Sequence, residues 1–173
     1  MEILEYFDEK NEKILGEAER DYIHEKNLWH REVAVWIMNE ANEVLLQRRS
    51  PNKKQGANRL SIVAGHIDAG EKEIIGALRE LEEEVGIAAK EEDLIFLGIY
   101  RNEQENNNCF SYTYLLKTNR KIEELVMQEE EVSELKYITI EELEAKIERR
   151  DDDMSLTKKP FAKEIVEKLK KEI

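Results

Sequence analysis

The chain has one cysteine, Cys109, in 173 residues, so no internal disulfide can form and a secreted disulfide scaffold is excluded. Long apolar runs are missing too. Stretches such as "VAVWIM" fall far short of the ~20 residues a membrane span needs. The opening "MEILEYFDEK" lacks the basic and apolar regions of a signal peptide, and does not read as one. Basic charge is in deficit: 27 Lys and Arg stand against 40 Asp and Glu, a net charge of −13. Such a surface repels a polyanion, which argues against DNA or RNA as a partner. There is no internal repeat and no low-complexity tract. What is present suffices for one domain over residues 1–173, which at this length buries roughly 70% of the surface of its unfolded chain. Charged residues make up 39%, but the apolar ones fall in patterned blocks, so global disorder is not expected. The expectation is a cytoplasmic protein with no membrane partner.

The blocks order themselves along the chain. Residues 1–30 read as a hairpin around "DEKNEK" followed by a short helix over about 19–26. "REVAVWIMN" is apolar on both faces, as in a central strand, and "EVLLQRR" returns after the turn "NEAN". After the loop "SPNKKQGAN", with Pro51 and Gly56 as breakers, "RLSIVAGHI" is one further extended segment. A helix opens at Gly70 and runs to about Val85. "DLIFLGIYRNE" and "CFSYTYLLKT" form a long hairpin, "LKYITI" a short strand and "EELEAKIERR" a helix. The chain closes on an amphipathic helix within 158–173. Strands and helices so mixed predict a mixed sheet with helices on both faces.

On a helical wheel, Glu80, Glu83 and Glu84 fall within an arc of about 100°, at i, i+3 and i+4. Ile74, Leu78, Leu81 and Val85 gather on a separate face. Like charges at this spacing repel, and a divalent cation reverses the sign, since clustered hard oxygens are what Mg²⁺ or Mn²⁺ requires. Gly76 falls on the acidic side, where a side chain would crowd a ligand. From the helix alone, a solvated glutamate face explains the pattern equally well.

The preceding loop separates the two. "GHIDAGEKEIIGALRELEEEVGI", residues 65–87, resembles the signature of the Nudix hydrolase family, G-x5-E-x7-R-E-U-x-E-E-x-G-U, with U a bulky aliphatic. Gly65, Glu71, Arg79, Glu80, Leu81, Glu83, Glu84, Gly86 and Ile87 fill every fixed position. The resemblance implies an α+β fold, a Nudix-type α/β/α sandwich with a mixed β-sheet. It also implies hydrolysis of a diphosphate linkage in a nucleoside diphosphate derivative or related pyrophosphate compound. Glu80, Glu83, Glu84 and the Gly65 carbonyl would hold Mg²⁺ or Mn²⁺. Glu71 and Arg79 would pair to fix the loop against the helix, which ends at Gly86. Glu80 could also orient the attacking water. Many family members place another acid after the box, and here "MQEEEVSELKYI" offers Glu129, Glu130 and, by its place before Val132, Glu131 as ligand or base. The partner implied is a small-molecule diphosphate, and a homodimer is left open.

Between Glu43 and Asp68 no acidic residue occurs, while Arg48, Arg49, Lys53, Lys54 and Arg59 do. The arginines are candidates to grip phosphate oxygens, with Lys53 and Lys54 expected to face water. Phe110, Tyr112 and Tyr114 share one strand face and are expected in the core, as are Trp29 and Trp36.

Over most of the chain, "LWHREVAVWI", "VLLQRRS" and "AGHIDAGE" resemble the Nudix subgroup related to isopentenyl-diphosphate isomerase. That enzyme binds a metal through three histidines and glutamates, and transfers protons with a cysteine and a glutamate. His66 matches a ligand position, and His24 and His30 lie near the other two with a spacing one residue shorter. Ala64 stands where the cysteine would be, Cys109 lies in another segment, and "CFSYTYLL" carries no glutamate. The isomerase reading is therefore disfavoured, and structural hydrogen-bonded roles are expected of the histidines. A further alternative is a Nudix-fold module that binds a nucleotide without turnover, against which the intact box argues.

Overall fold

Alternation along the central strand sorts the core into two layers. The computed structural model describes residues 1–173. In strand β3 (His30–Met38), Val33, Val35 and Ile37 point to one side, Trp36 and Met38 to the other, and all are buried. Helix α2 (Glu73–Val85) covers the first side with Ala77, Leu81 and Val85. Helices α3 (Ile140–Arg149) and α4 (Ala162–Lys170) cover the second with Ile140, Leu143, Ile147, Ile165, Val166 and Leu169. The result is an α/β/α sandwich. No helix is long and apolar enough to cross a membrane.

The sheet is mixed. Strand β8 (Cys109–Lys117) runs parallel to β3 in a register from His30↔Cys109 to Met38↔Lys117, and β7 (Leu94–Asn102) is antiparallel to β8. The other edge of β3 meets two different partners. One end touches β4 (Glu43–Arg49) at Met38↔Val44, and the other pairs β6 (Val63–His66) from Glu32↔His66 to Val35↔Val63. Strand β4 then diverges, taking β5 (Leu60–Ser61) and β9 (Val132–Thr139) as its own partners. The stretch expected as one extended segment is thus two short strands that pair with different neighbours and part at Ile62.

A separate hairpin of β1 (Ile3–Phe7) and β2 (Ile14–Glu19) leads into α1 (Arg20–Glu25). It docks through Phe7, which packs with Trp29 and Phe110. Phe110 and Tyr114 are buried in core clusters, and Trp36 is fully buried.

Two boundaries differ from the sequence reading. The central helix starts at Glu73 because Gly70 takes a left-handed turn, φ 78°, ahead of it. Ser155–Lys158 forms a 3-10 turn, and the last helix begins only at Ala162, past Pro160. Helix α2 ends at Gly86, φ 72°, where a Cβ would also lie 2.6 Å from Val126 Cγ2.

Candidate active site

The loop between β6 and α2 is tied to the helix by one guanidinium. Arg79 donates from Nε to Glu71 Oε1 at 2.9 Å and from Nη2 to Glu71 Oε2 at 3.0 Å, a bidentate pair. The same Nη2 donates to the His66 carbonyl at 3.0 Å, and Nη1 reaches Glu80 Oε1 at 2.7 Å and Glu83 Oε2 at 3.3 Å. Glu71 also accepts from the Asp68 N–H at 3.0 Å. Burial works against its ionisation, but these hydrogen bonds prevail and its pKa is lowered. Gly76 makes room for this pair: a Cβ there would stand 3.2 Å from Glu71 Oε2.

The three glutamates differ in surroundings. Glu80 is buried against Gly65, and burial raises its pKa in spite of Arg79. Glu84 sits beneath β4 and β6, where burial pushes its carboxyl up to about 7, opposed by a hydrogen bond from Gln47 and the Ala64 backbone. Gln47 Nε2 donates to Glu84 Oε2 at 2.7 Å, so its donor is neutral and leaves the charge uncompensated. Glu83 is exposed, with Arg79 as its ionic contact. Two desolvated carboxylates on one helix, oxygen donors throughout, fit a hard divalent cation such as Mg²⁺ or Mn²⁺.

Glu131 lies in the turn just before β9, held to the end of β4 by the Ser50 N–H, which donates to its carbonyl at 2.8 Å. Its charge adds to the upward push on Glu84 that burial dominates. Its carboxylate pairs with Lys53 Nζ at 3.1 Å, which corrects the expectation that Lys53 faces water. Lys54 is exposed. Arg48 donates to the Asn58 carbonyl at 2.8 Å and meets Glu134 at 3.5 Å, Arg49 donates to the Gln55 carbonyl at 3.2 Å, and Arg59 is exposed. Arg48 and Arg49 stand at the end of β4 and Arg59 just before β5, on the branch of the sheet that parts from β6.

On the other face of β3 and β6 the three histidines meet. Ligand nitrogens of His24, His30 and His66 all lie within 4.8 Å of one another, close enough to hold one metal ion. Imidazoles suit a transition metal better than Mg²⁺. His30 is fully buried between the Leu28 carbonyl at 3.0 Å and Asn107 Oδ1 at 3.1 Å, and burial pushes its pKa down to about 4. His66 Nδ1 lies 3.4 Å from Glu2, whose carboxyl it holds at about 2. The expected structural hydrogen bonds thus exist for His30, while His66 has its ionic contact with Glu2 and His24 Nε2 is buried without a partner.

Beside them lies an acid the sequence reading missed. Glu32 stands opposite Ser111 in the β3–β8 register, and burial raises its pKa against hydrogen bonds with Cys109 and Ser111. The strand "CFSYTYLL" lacks a glutamate, but its neighbour supplies one. Glu32, Trp36, Ala64, Ser111 and Phe161 are among the walls of a cavity of about 160 Å³. Ala64 belongs to both sites, since its backbone also serves Glu84.

The NUDIX domain family matches residues 28–159. The chain is 33% identical over 159 residues to an uncharacterised Nudix hydrolase of Clostridium acetobutylicum, spanning 87% of this chain and 76% of that relative. It is 29% identical over 150 residues to an isopentenyl-diphosphate Delta-isomerase of Aliivibrio fischeri, spanning 82% and 83%. The crystal structure of DR0079 from Deinococcus radiodurans has the same fold, with a TM-score of 0.74 at 22% identity over 97% of this chain and 99% of that one. With its box complete and the family matched over most of its length, the chain belongs to the Nudix hydrolases.

Proposed function

We propose that this Nudix hydrolase cleaves a diphosphate linkage in a nucleoside diphosphate derivative or a related pyrophosphate compound. Family members act on phosphoric anhydrides and generally require divalent cations such as Mg²⁺ or Mn²⁺. The observation that carries the reading is the pair of desolvated carboxylates, Glu80 against Gly65 and Glu84 against Gln47, on one helix face. Glu80, Glu83, Glu84 and the Gly65 carbonyl would hold the ion. When bound, it would neutralise the diphosphate and acidify a coordinated water. Glu80 is the candidate to accept the proton of the attacking water, because its burial favours the protonated form. Glu131, whose charge is felt at Glu84, is the second candidate. Arg48, Arg49 and Arg59 would hold phosphate oxygens, each on giving up its present contact or from solvent. Arg79 and Glu71 keep the loop and helix in one geometry.

The test is a panel of diphosphate compounds with Mg²⁺ or Mn²⁺, read by released phosphate products, for the parent and Glu84→Gln. Turnover of none of them would sink the reading.

The three gathered histidines with Glu32 beside them, and the likeness to an isopentenyl-diphosphate Delta-isomerase, favour isomerase chemistry. Ala64 weighs against it, since no thiol stands at that place. Isopentenyl diphosphate incubated with the protein and Mg²⁺ is expected to remain unconverted, and dimethylallyl diphosphate formed at an enzymatic rate would reverse this judgement.

A further inference from the structure

Gln47 occupies an unusual place for an amide. On β4 it follows Leu45 at the two-residue period, so it points to the α2 side, where Leu45 lies in the apolar core. It is only 7% exposed. Its Nε2 donates to Glu84 Oε2 at 2.7 Å and to the Ile62 carbonyl at 3.2 Å. Both amide hydrogens are therefore used, and turning the amide over would set its oxygen against two acceptors. That orientation leaves Oε1 buried with no partner. Buried acceptors are rarely left so, and each one calls for an explanation.

We propose that Gln47 is a positioning residue of the cation site: Nε2 aims the Glu84 carboxylate, and Oε1 accepts from a water coordinated to the ion. This rests on the reading of Glu84 as a ligand. A lysine at this position would neutralise Glu84 and compete with the cation, whereas an amide orients the carboxylate and leaves its charge available. A purely structural link between β4 and β6 would use the bond to Ile62 alone, with no need for Glu84 or for an open acceptor.

The experiment is Mn²⁺ titration of the whole protein without substrate, followed by the electron paramagnetic resonance signal of free Mn²⁺. Gln47→Met keeps the length of the side chain and removes both hydrogen-bonding groups. Outer partners of metal ligands typically govern affinity by ten- to a hundredfold, so Mn²⁺ binding is expected to weaken by about that factor. Melting without metal is measured alongside, and Gln47→Leu replaces Gln47→Met should the latter not fold. Glu84→Gln separates the two readings. If it weakens Mn²⁺ binding while the Gln47 variants bind like the parent, the positioning role is overturned and Glu84 stands. If Glu84→Gln itself binds like the parent, the ligand reading falls and this inference with it. A Gln47 variant that loses Mn²⁺ affinity with its metal-free melting unchanged supports the proposal.

Discussion

The Glu80 carboxylate fills the space beside Gly65 where any other residue would carry its Cβ. That atom would lie 2.1 Å from both Glu80 Cδ and Oε1, far inside contact distance. Gly65→Ala must therefore expel the Glu80 side chain or move the loop. Overpacking of this kind costs about 1–3 kcal/mol, to be read in urea melts. Activity should fall at least about tenfold, the loss from a barrier raised by 1.4 kcal/mol. Adding Glu80→Ala should return the stability and not the activity. Unchanged turnover in Gly65→Ala would show that this packing is irrelevant to chemistry.

Divalent metal should raise the melting temperature of the parent. Mass action gives about 2.7 kcal/mol at a hundredfold excess over Kd. Glu84→Gln should lose most of that rise, and Glu83→Gln part of it. An equal metal response in parent and both variants would remove these residues from the site.

The basic stretch makes a sharper comparison than its sequence suggested. If Arg48, Arg49 or Arg59 contacts phosphate, its alanine variant should lose roughly 1.5–3 kcal/mol of transition-state stabilisation, about ten- to a hundredfold in kcat/KM. Lys54 is exposed and is the control. Lys53 cannot serve as one, because its loss unpairs Glu131. Equal and negligible losses at all three arginines would show an ordinary surface.

His30 sets an acid limit on stability. In the unfolded chain it takes a proton near pH 6.5, but in the fold burial delays this to about 4. Between those values the unfolded state binds more protons, so stability falls as pH drops through the window, by roughly 3 kcal/mol in all. The rings of His24 and His66 lie against it and Glu2 lies against His66, so the test is a difference. Urea melts at pH 7 and pH 4.5 should show a smaller drop for His30→Gln than for the parent. An identical drop would acquit His30.

The two halves of the site differ in how far they can be read without coordinates. Gly65 near the end of β6, Glu71 in the loop after it and Arg79, Glu80 and Glu84 on the helix follow one another along a single strand–loop–helix run, so spacing alone brings them into register. Gln47 is 37 residues from Glu84, and only the parting of β4 from β6 carries it there. Glu32 meets Cys109 and Ser111 through a parallel pairing that no local pattern encodes. The break at Ile62 was equally hidden, because both strands flanking it keep the same two-residue alternation. Lys53 and Glu131 come together through the β4–β9 register.

The parting of the sheet also decides which changes of chain length the protein tolerates. Strand β6 takes its register from β3, whereas the loop over residues 50–59 hangs between β4 and β5. Residues can be inserted into or deleted from that loop without displacing Gly65 or the helix behind it. Descendants of this chain are thus free to remodel that loop while inheriting the acids of the helix intact.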